Sequence, residues 1–177
     1  YLYRGLGGGK FAERRELAKG FGSVRLLTAA GDFDGDGWPD LLGQPSGGAM
    51  RLYSGGGLSG IESSVVARSA RTASSQIGIG RWDSDGAPDT LLRKGDRLVW
   101  MRGNGPGGLT GGETDLKVDL RRYDWVLGVS DMTGSAHPDV IVREKATGYL
   151  WMLPGTQSGF GPRRFLAEGM GAYSGAG

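Results

Sequence analysis

A short acidic phrase closing on Pro-Asp occurs three times at nearly constant spacing, and this repeat constrains the fold more than any other feature of the chain. The copies are Gly31-Asp-Phe-Asp-Gly-Asp-Gly-Trp-Pro-Asp40, Gly80-Arg-Trp-Asp-Ser-Asp-Gly-Ala-Pro-Asp89 and Ser130-Asp-Met-Thr-Gly-Ser-Ala-His-Pro-Asp139. Their closing aspartates lie 49 and then 50 residues apart. A period of this size marks one supersecondary unit per repeat, which buries its apolar face only by stacking on its neighbours.

Each unit reads as four short strands. One enters the acidic loop (24–30, 76–80, 125–129) and one leaves it (41–42, 91–92, 140–142). A third is aromatic (51–53, 98–101, 149–152), glycine-rich turns follow, and a weaker fourth is expected at 63–67, 114–120 and 164–167. Four strands per unit at this period is the pattern of a β-propeller blade. The composition agrees. With 36 glycines and 7 prolines in 177 residues, the chain holds about twice the usual share of helix breakers. The expectation is an all-β β-propeller of four-stranded blades with calcium-binding hairpin loops.

The ends fit the same frame. Tyr1-Leu-Tyr3-Arg4-Gly5 aligns with the third strand at Arg51 to Gly55, and Ala167 to Gly171 aligns with Ala18 to Gly22. The units run over 23–72, 73–122 and 123–171, with partial units at 1–22 and 172–177, all in one domain. Such an array leaves an unpaired edge unless it closes into a ring. More chain, a homodimer or a four-unit ring would each close it, and an isolated monomer is expected to be unstable.

The first loop places carboxylates at odd positions: Asp32, Asp34, Asp36 and Asp40, with the Trp38 carbonyl between the last two. Calcium takes six to eight hard oxygen ligands, and four carboxylates so close together repel unless a cation neutralises them. The loop is not an EF-hand, because Gly43 stands where that motif needs a bidentate Glu. In the second copy the matching ligands are Asp83, Asp85, the Ala87 carbonyl and Asp89. Arg81 replaces the first carboxylate there, so calcium or the Arg81 guanidinium could neutralise the loop. The third offers Asp131, Thr133, Ser135, the His137 carbonyl and Asp139, a set of lower charge and so of weaker affinity.

These motifs, with Phe21-Gly22 and Gly159-Phe160-Gly161-Pro162, resemble the FG-GAP (VCBS-type) repeats of integrin α-subunit propellers and of many secreted bacterial proteins. The resemblance spans essentially the whole chain, although only the first loop carries the complete Asp-x-Asp-x-Asp-Gly-x-x-Asp core. It implies a calcium-stabilised extracellular propeller that binds glycans or other proteins.

Other classes find little support. Cysteine is absent, so there is no disulfide framework or thiol nucleophile. The net charge is +2 with basic residues scattered in pairs, which argues against nucleic acid as a partner. No apolar run is long enough for membrane insertion, and no signal-peptide pattern opens the sequence. His137 is the only histidine, and neither a nucleophile elbow nor a phosphate loop is present, so a non-enzymatic role is expected. Trp38, Trp82, Trp100, Trp125 and Trp151 are candidate platforms for sugar stacking. Packing between neighbouring units is the competing role for Trp100 and Trp151. A multivalent, lectin-like binding module is thus the leading expectation. An interaction or structural module attached to a secreted enzyme is the alternative.

Overall fold

The computed structural model describes residues 1–83 and 85–175; Ser84 in the second loop and the last two positions of the 172–177 partial unit lie outside the described residues. The chain opens with a hairpin, β1 (Gly5–Gly7) and β2 (Lys10–Phe11), held to the rest of its segment by a Leu2–Arg15 bridge. Three four-stranded antiparallel sheets follow. The first contains β3 (Val24–Gly31), β4 (Asp40–Pro45), β5 (Met50–Gly55) and β6 (Ile61–Arg68). The second contains β7 (Ser75–Gly80), β8 (Asp89–Lys94), β9 (Arg97–Gly103) and β10 (Leu109–Asp115). The third comprises β11 (Tyr123–Val129), β12 (Asp139–Glu144), β13 (Leu150–Leu153) and β16 (Arg164–Ala167). A small hairpin, β14 (Gly155–Thr156) and β15 (Gly159–Phe160), is inserted before that last strand.

Each sheet runs in simple meander order, because hairpin-length links favour antiparallel neighbours. The acidic phrases connect the first and second strands of each sheet. The two matching terminal segments form the same short turn: Gly20 and Gly169, both left-handed, each precede a 3-10 turn (Phe21–Ser23 and Met170–Ala172). The fourth strand of the second unit is displaced from its expected 114–120. It starts at Leu109 and ends at Asp115 after a break in register. Leu116 and Leu120 then leave the sheet to be buried in the core.

Two cores fill the seams between sheets. Ala30, Phe33, Leu42, Met50 and Leu52 of the first unit meet Leu92, Val99 and Met101 of the second. Ile77, Ile79, Trp82, Leu91, Leu98 and Trp100 of the second meet Val140, Val142 and Leu153 of the third. Alternation along each strand explains this sandwiching, since successive side chains point to opposite faces. The residue two positions past each closing aspartate (Leu42, Leu91) faces the following sheet. The residue three past (Leu92, Val142) faces the preceding one.

The first strands lie side by side. Gly78 N donates to Thr28 Oγ1 at 3.0 Å, a Cβ at Gly78 would overlap the Ala29 carbonyl, and one at Gly128 would overlap the Gly78 carbonyl. Glycine is required there because backbones touch. At the far ends of the second strands, another set of ties repeats. Gln44 exchanges two hydrogen bonds with the Arg71 backbone, at 2.8 and 3.1 Å. Arg93 donates to the Tyr123 and Asp124 carbonyls, and Arg143 donates to the Met170 carbonyl at 2.9 Å. All three stand four residues past a closing aspartate, and each secures the entrance of the next unit.

Candidate metal centre

The closing aspartates are the best-buried part of the loops: Asp40 and Asp139 are 0% exposed and Asp89 1%. Each ties three pieces of chain together. Asp40 Oδ2 accepts from Phe33 N at 2.7 Å, and its Oδ1 accepts from Gly55 N, at the end of the third strand, at 2.8 Å. Asp89 repeats this with Trp82 N and Gly103 N, both at 2.8 Å. Asp139 does so with Met132 N at 2.8 Å and Gly155 N at 2.7 Å. The glycines are needed for the close approach: a Cβ at Gly55, Gly103 or Gly155 would overlap the carbonyl of Pro39, Pro88 or Pro138. This bracing role is not legible in the acidic phrase itself; its signal is the glycine at or just past the end of each third strand.

In the first loop, Asp32, Asp34 and Asp40 bring carboxylate oxygens within 4.8 Å of one another. Asp36 lies outside that group, and its Oδ1 accepts from Trp38 N at 2.8 Å. Asp32 is shaped by Gly35 N and Gly37 N, at 2.9 and 3.2 Å. Ser54 Oγ reaches in from β5 to donate to Asp34 Oδ2 at 2.7 Å, a contact that no spacing in the loop indicates.

Burial raises Asp40 above the ordinary carboxylate value of 3.8, against the lowering effect of the Gly55, Phe33 and Asp34 N–H groups. Asp89 is raised for the same reason, against Gly103 and Trp82 N–H, and the charge of Asp83 adds to the rise. With folded values above unfolded ones, the stability these groups contribute is present at low pH and is lost as pH rises through the raised values. Their ionised forms therefore gain from a nearby cation. A hard, acidic oxygen set of this kind fits a divalent cation such as calcium.

The second loop departs from the expectation for Arg81. That side chain is exposed and makes no ion pair among the described residues. Instead Arg102, from β9, places Nε 3.6 Å from Asp83 Oδ2. Asp83 is still raised, first by burial and then by the adjoining Asp85 carboxylate. Asp85 Oδ1 accepts from Ala87 N at 2.9 Å.

The third loop satisfies itself. Asp131 accepts from Ser135 N and Ala136 N at 2.9 and 2.8 Å. Burial alone would raise it, but the N–H groups of Ser135, Ala136, Gly134 and Thr133 together hold it below 3.8. Thr133 Oγ1 donates to Asp139 Oδ1 at 3.1 Å, and Ser135 Oγ donates to the His137 carbonyl at 3.2 Å. These two bonds engage four expected ligand atoms, Thr133 Oγ1, Asp139 Oδ1, Ser135 Oγ and the His137 carbonyl oxygen. The His137 ring contacts the Trp82 carbonyl through Nδ1 at 3.1 Å, which makes it part of a seam.

The tryptophans separate into three groups. Trp82 and Trp100 are buried at 2% and 4%, with centroids 5.5 Å apart, so neither can serve as the expected sugar platform. Trp125 and Trp151 are half-buried beneath Arg143 and Arg163, at 3.6 and 3.8 Å. Trp38 alone is open, at 51%, with one edge against Gly57. The aromatic strand positions are not equivalent. Trp100 pairs with Leu91 and faces forward, whereas Trp151 pairs with Val142 and faces back, because a shift of one residue reverses the face.

Among the described residues, no helix is long and apolar enough to cross a membrane. No protein-family model matches the chain, and neither a curated protein nor a solved structure matches it.

Proposed function

We infer that the chain is a calcium-stabilised, non-catalytic interaction module of the extracellular space, built as part of a β-propeller of the FG-GAP type. The convergence of Asp32, Asp34 and Asp40 around one point carries this reading. Those three residues would hold the ion, with the Asp83 and Asp85 loop a weaker second site. The ion would supply rigidity through charge neutralisation, fixing a loop that sits over a seam. Protein is favoured over glycan as the partner, because the tryptophans that would repeat a sugar platform are buried in seams or covered by arginines.

Titration calorimetry with calcium tests the reading. Binding is expected in the unmodified protein and is expected to be lost in Asp34→Ala. No heat and no thermal shift with calcium would overturn it.

A glycan reading has one observation in its favour, the open Trp38 ring beside the acidic loop. A glycan array probed with calcium-loaded protein distinguishes the two. A blank supports the protein partner, and binding to a defined sugar that Trp38→Ala abolishes supports the lectin.

A further inference from the structure

The seam between the second and third units holds a cavity of about 310 Å³ that no acidic-loop residue lines. Both flanking sheets have all four strands. One wall is the link from β10 to β11. Leu116 and Leu120, 6% and 0% exposed, pin that link at two points, and Lys117, Val118 and Asp119 line the space. Lys117 is held in left-handed backbone, φ 58°, by the Asp115 carboxylate, which accepts from its N–H at 2.8 Å. Residues other than glycine keep that conformation only where their surroundings enforce it. The third unit supplies Leu153, Phe160 and Arg163 from across the seam.

Two features of this cavity are unsatisfied. The first is Tyr123, which lines it and is 5% exposed. Its hydroxyl accepts from Arg163 Nη1 at 3.0 Å and donates to nothing among the described residues. A buried hydroxyl whose proton has no acceptor calls for one from outside. The second is charge. Lys117, Arg122 and Arg163 line the cavity against a single acid, Asp119. Asp119 is already taken, because Arg121 donates to both of its oxygens at 2.6 to 3.1 Å. Lys117 and Arg163 have partial partners in Asp115 at 3.4 Å and Glu144 at 3.2 Å. The Arg122 side chain is exposed and makes no hydrogen bond or ion pair among the described residues.

We propose that this cavity binds an Asp or Glu side chain carried between apolar residues on a protein partner. Arg122 and Arg163 pair with the carboxylate, and the Tyr123 hydroxyl donates to it. Hydrogen bonds between such ionised groups are the strong ones. Val118, Leu153 and Phe160 receive the apolar neighbours. A sugar fits less well, because the lining offers no uncommitted side-chain acceptor for its hydroxyl protons. The proposal takes its class of partner from the interaction-module reading and uses none of the calcium ligands.

The test is fluorescence anisotropy of short fluorescein-labelled peptides, each with one Glu or Asp between apolar residues, against protein up to about 1 mM. Saturable binding by members of this panel is expected. Replacing the peptide's acid by its amide should weaken binding at least about tenfold, and Arg122→Glu should do the same. Tyr123→Phe, which keeps the ring and removes the donor, should weaken it several-fold. Arg122 is exposed and unpaired among the described residues, so circular dichroism should show Arg122→Glu folded. Failure of every peptide to bind would overturn the proposal, as would binding that the amide or Arg122→Glu leaves unchanged. A heparin-derived oligosaccharide that binds where every peptide fails would also overturn it, and would assign the cavity to an anionic glycan. Calcium calorimetry on the same samples separates the two readings. Calcium binding without peptide binding sinks this proposal alone, and peptide binding without calcium binding sinks the metal reading alone.

Discussion

The first and third acidic loops share a frame and differ in what fills it. Both end in a buried aspartate that binds the second loop residue and the glycine at or just past the end of the third strand. In the first loop Asp34 and Asp36 stand where the third has Thr133 and Ser135, and Asp32, Asp34 and Asp40 converge while accepting from backbone N–H groups and Ser54. In the third, hydroxyls and backbone N–H groups take up the oxygens. The closing aspartate braces the strands in every copy, and the earlier positions set how many carboxylates gather beside it.

Removing the shared element gives the largest effect. Asp40→Ala and Asp139→Ala each strand two or more buried N–H donors, and each should cost about 3–5 kcal/mol by urea unfolding. A neutral Asp139→Ala would break the claim that the frame is common. Calcium sharpens the contrast next. At about 100 times the dissociation constant it should stabilise the protein by about 2.7 kcal/mol. Asp32→Ala should remove most of that gain, and Asp131→Ala should leave it intact. An equal loss from both would make the two loops alike. The smallest effects come from hydroxyls. Ser54→Ala and Thr133→Val should each cost about 1 kcal/mol in chelator. With calcium present, the Ser54 effect should shrink because the ion takes over Asp34, and the Thr133 effect should persist.

Much of the fold was legible because its signals are local. The strands at 24–30, 76–80 and 140–142 were found within a few residues, since apolar runs bounded by glycine turns need no distant partner to be recognised. The β10 strand was misplaced because Leu116 and Leu120, apolar and apparently strand-like, serve the core from outside the sheet. The structure brings the carboxylates at 32, 34 and 40 together, whereas Asp36 turns to its own backbone. Arg102 and Ser54 were missed because they reach the loops from other strands, at separations that no short motif encodes. The tryptophans misled for a related reason: a residue's type does not show which face of a strand it occupies.

The sequence by itself determined the spacing of the three repeats, most of the strands within them and the position of each acidic loop. These follow from turn chemistry, alternation and repetition, all of which act over a few residues. Only the tertiary structure decided that Phe33 and Trp82 are buried and Met132 is exposed, and that Asp40, Asp89 and Asp139 bind strands together. Burial and hydrogen-bond partnership depend on what lies across a seam, some fifty residues away in sequence, and no local pattern carries that information.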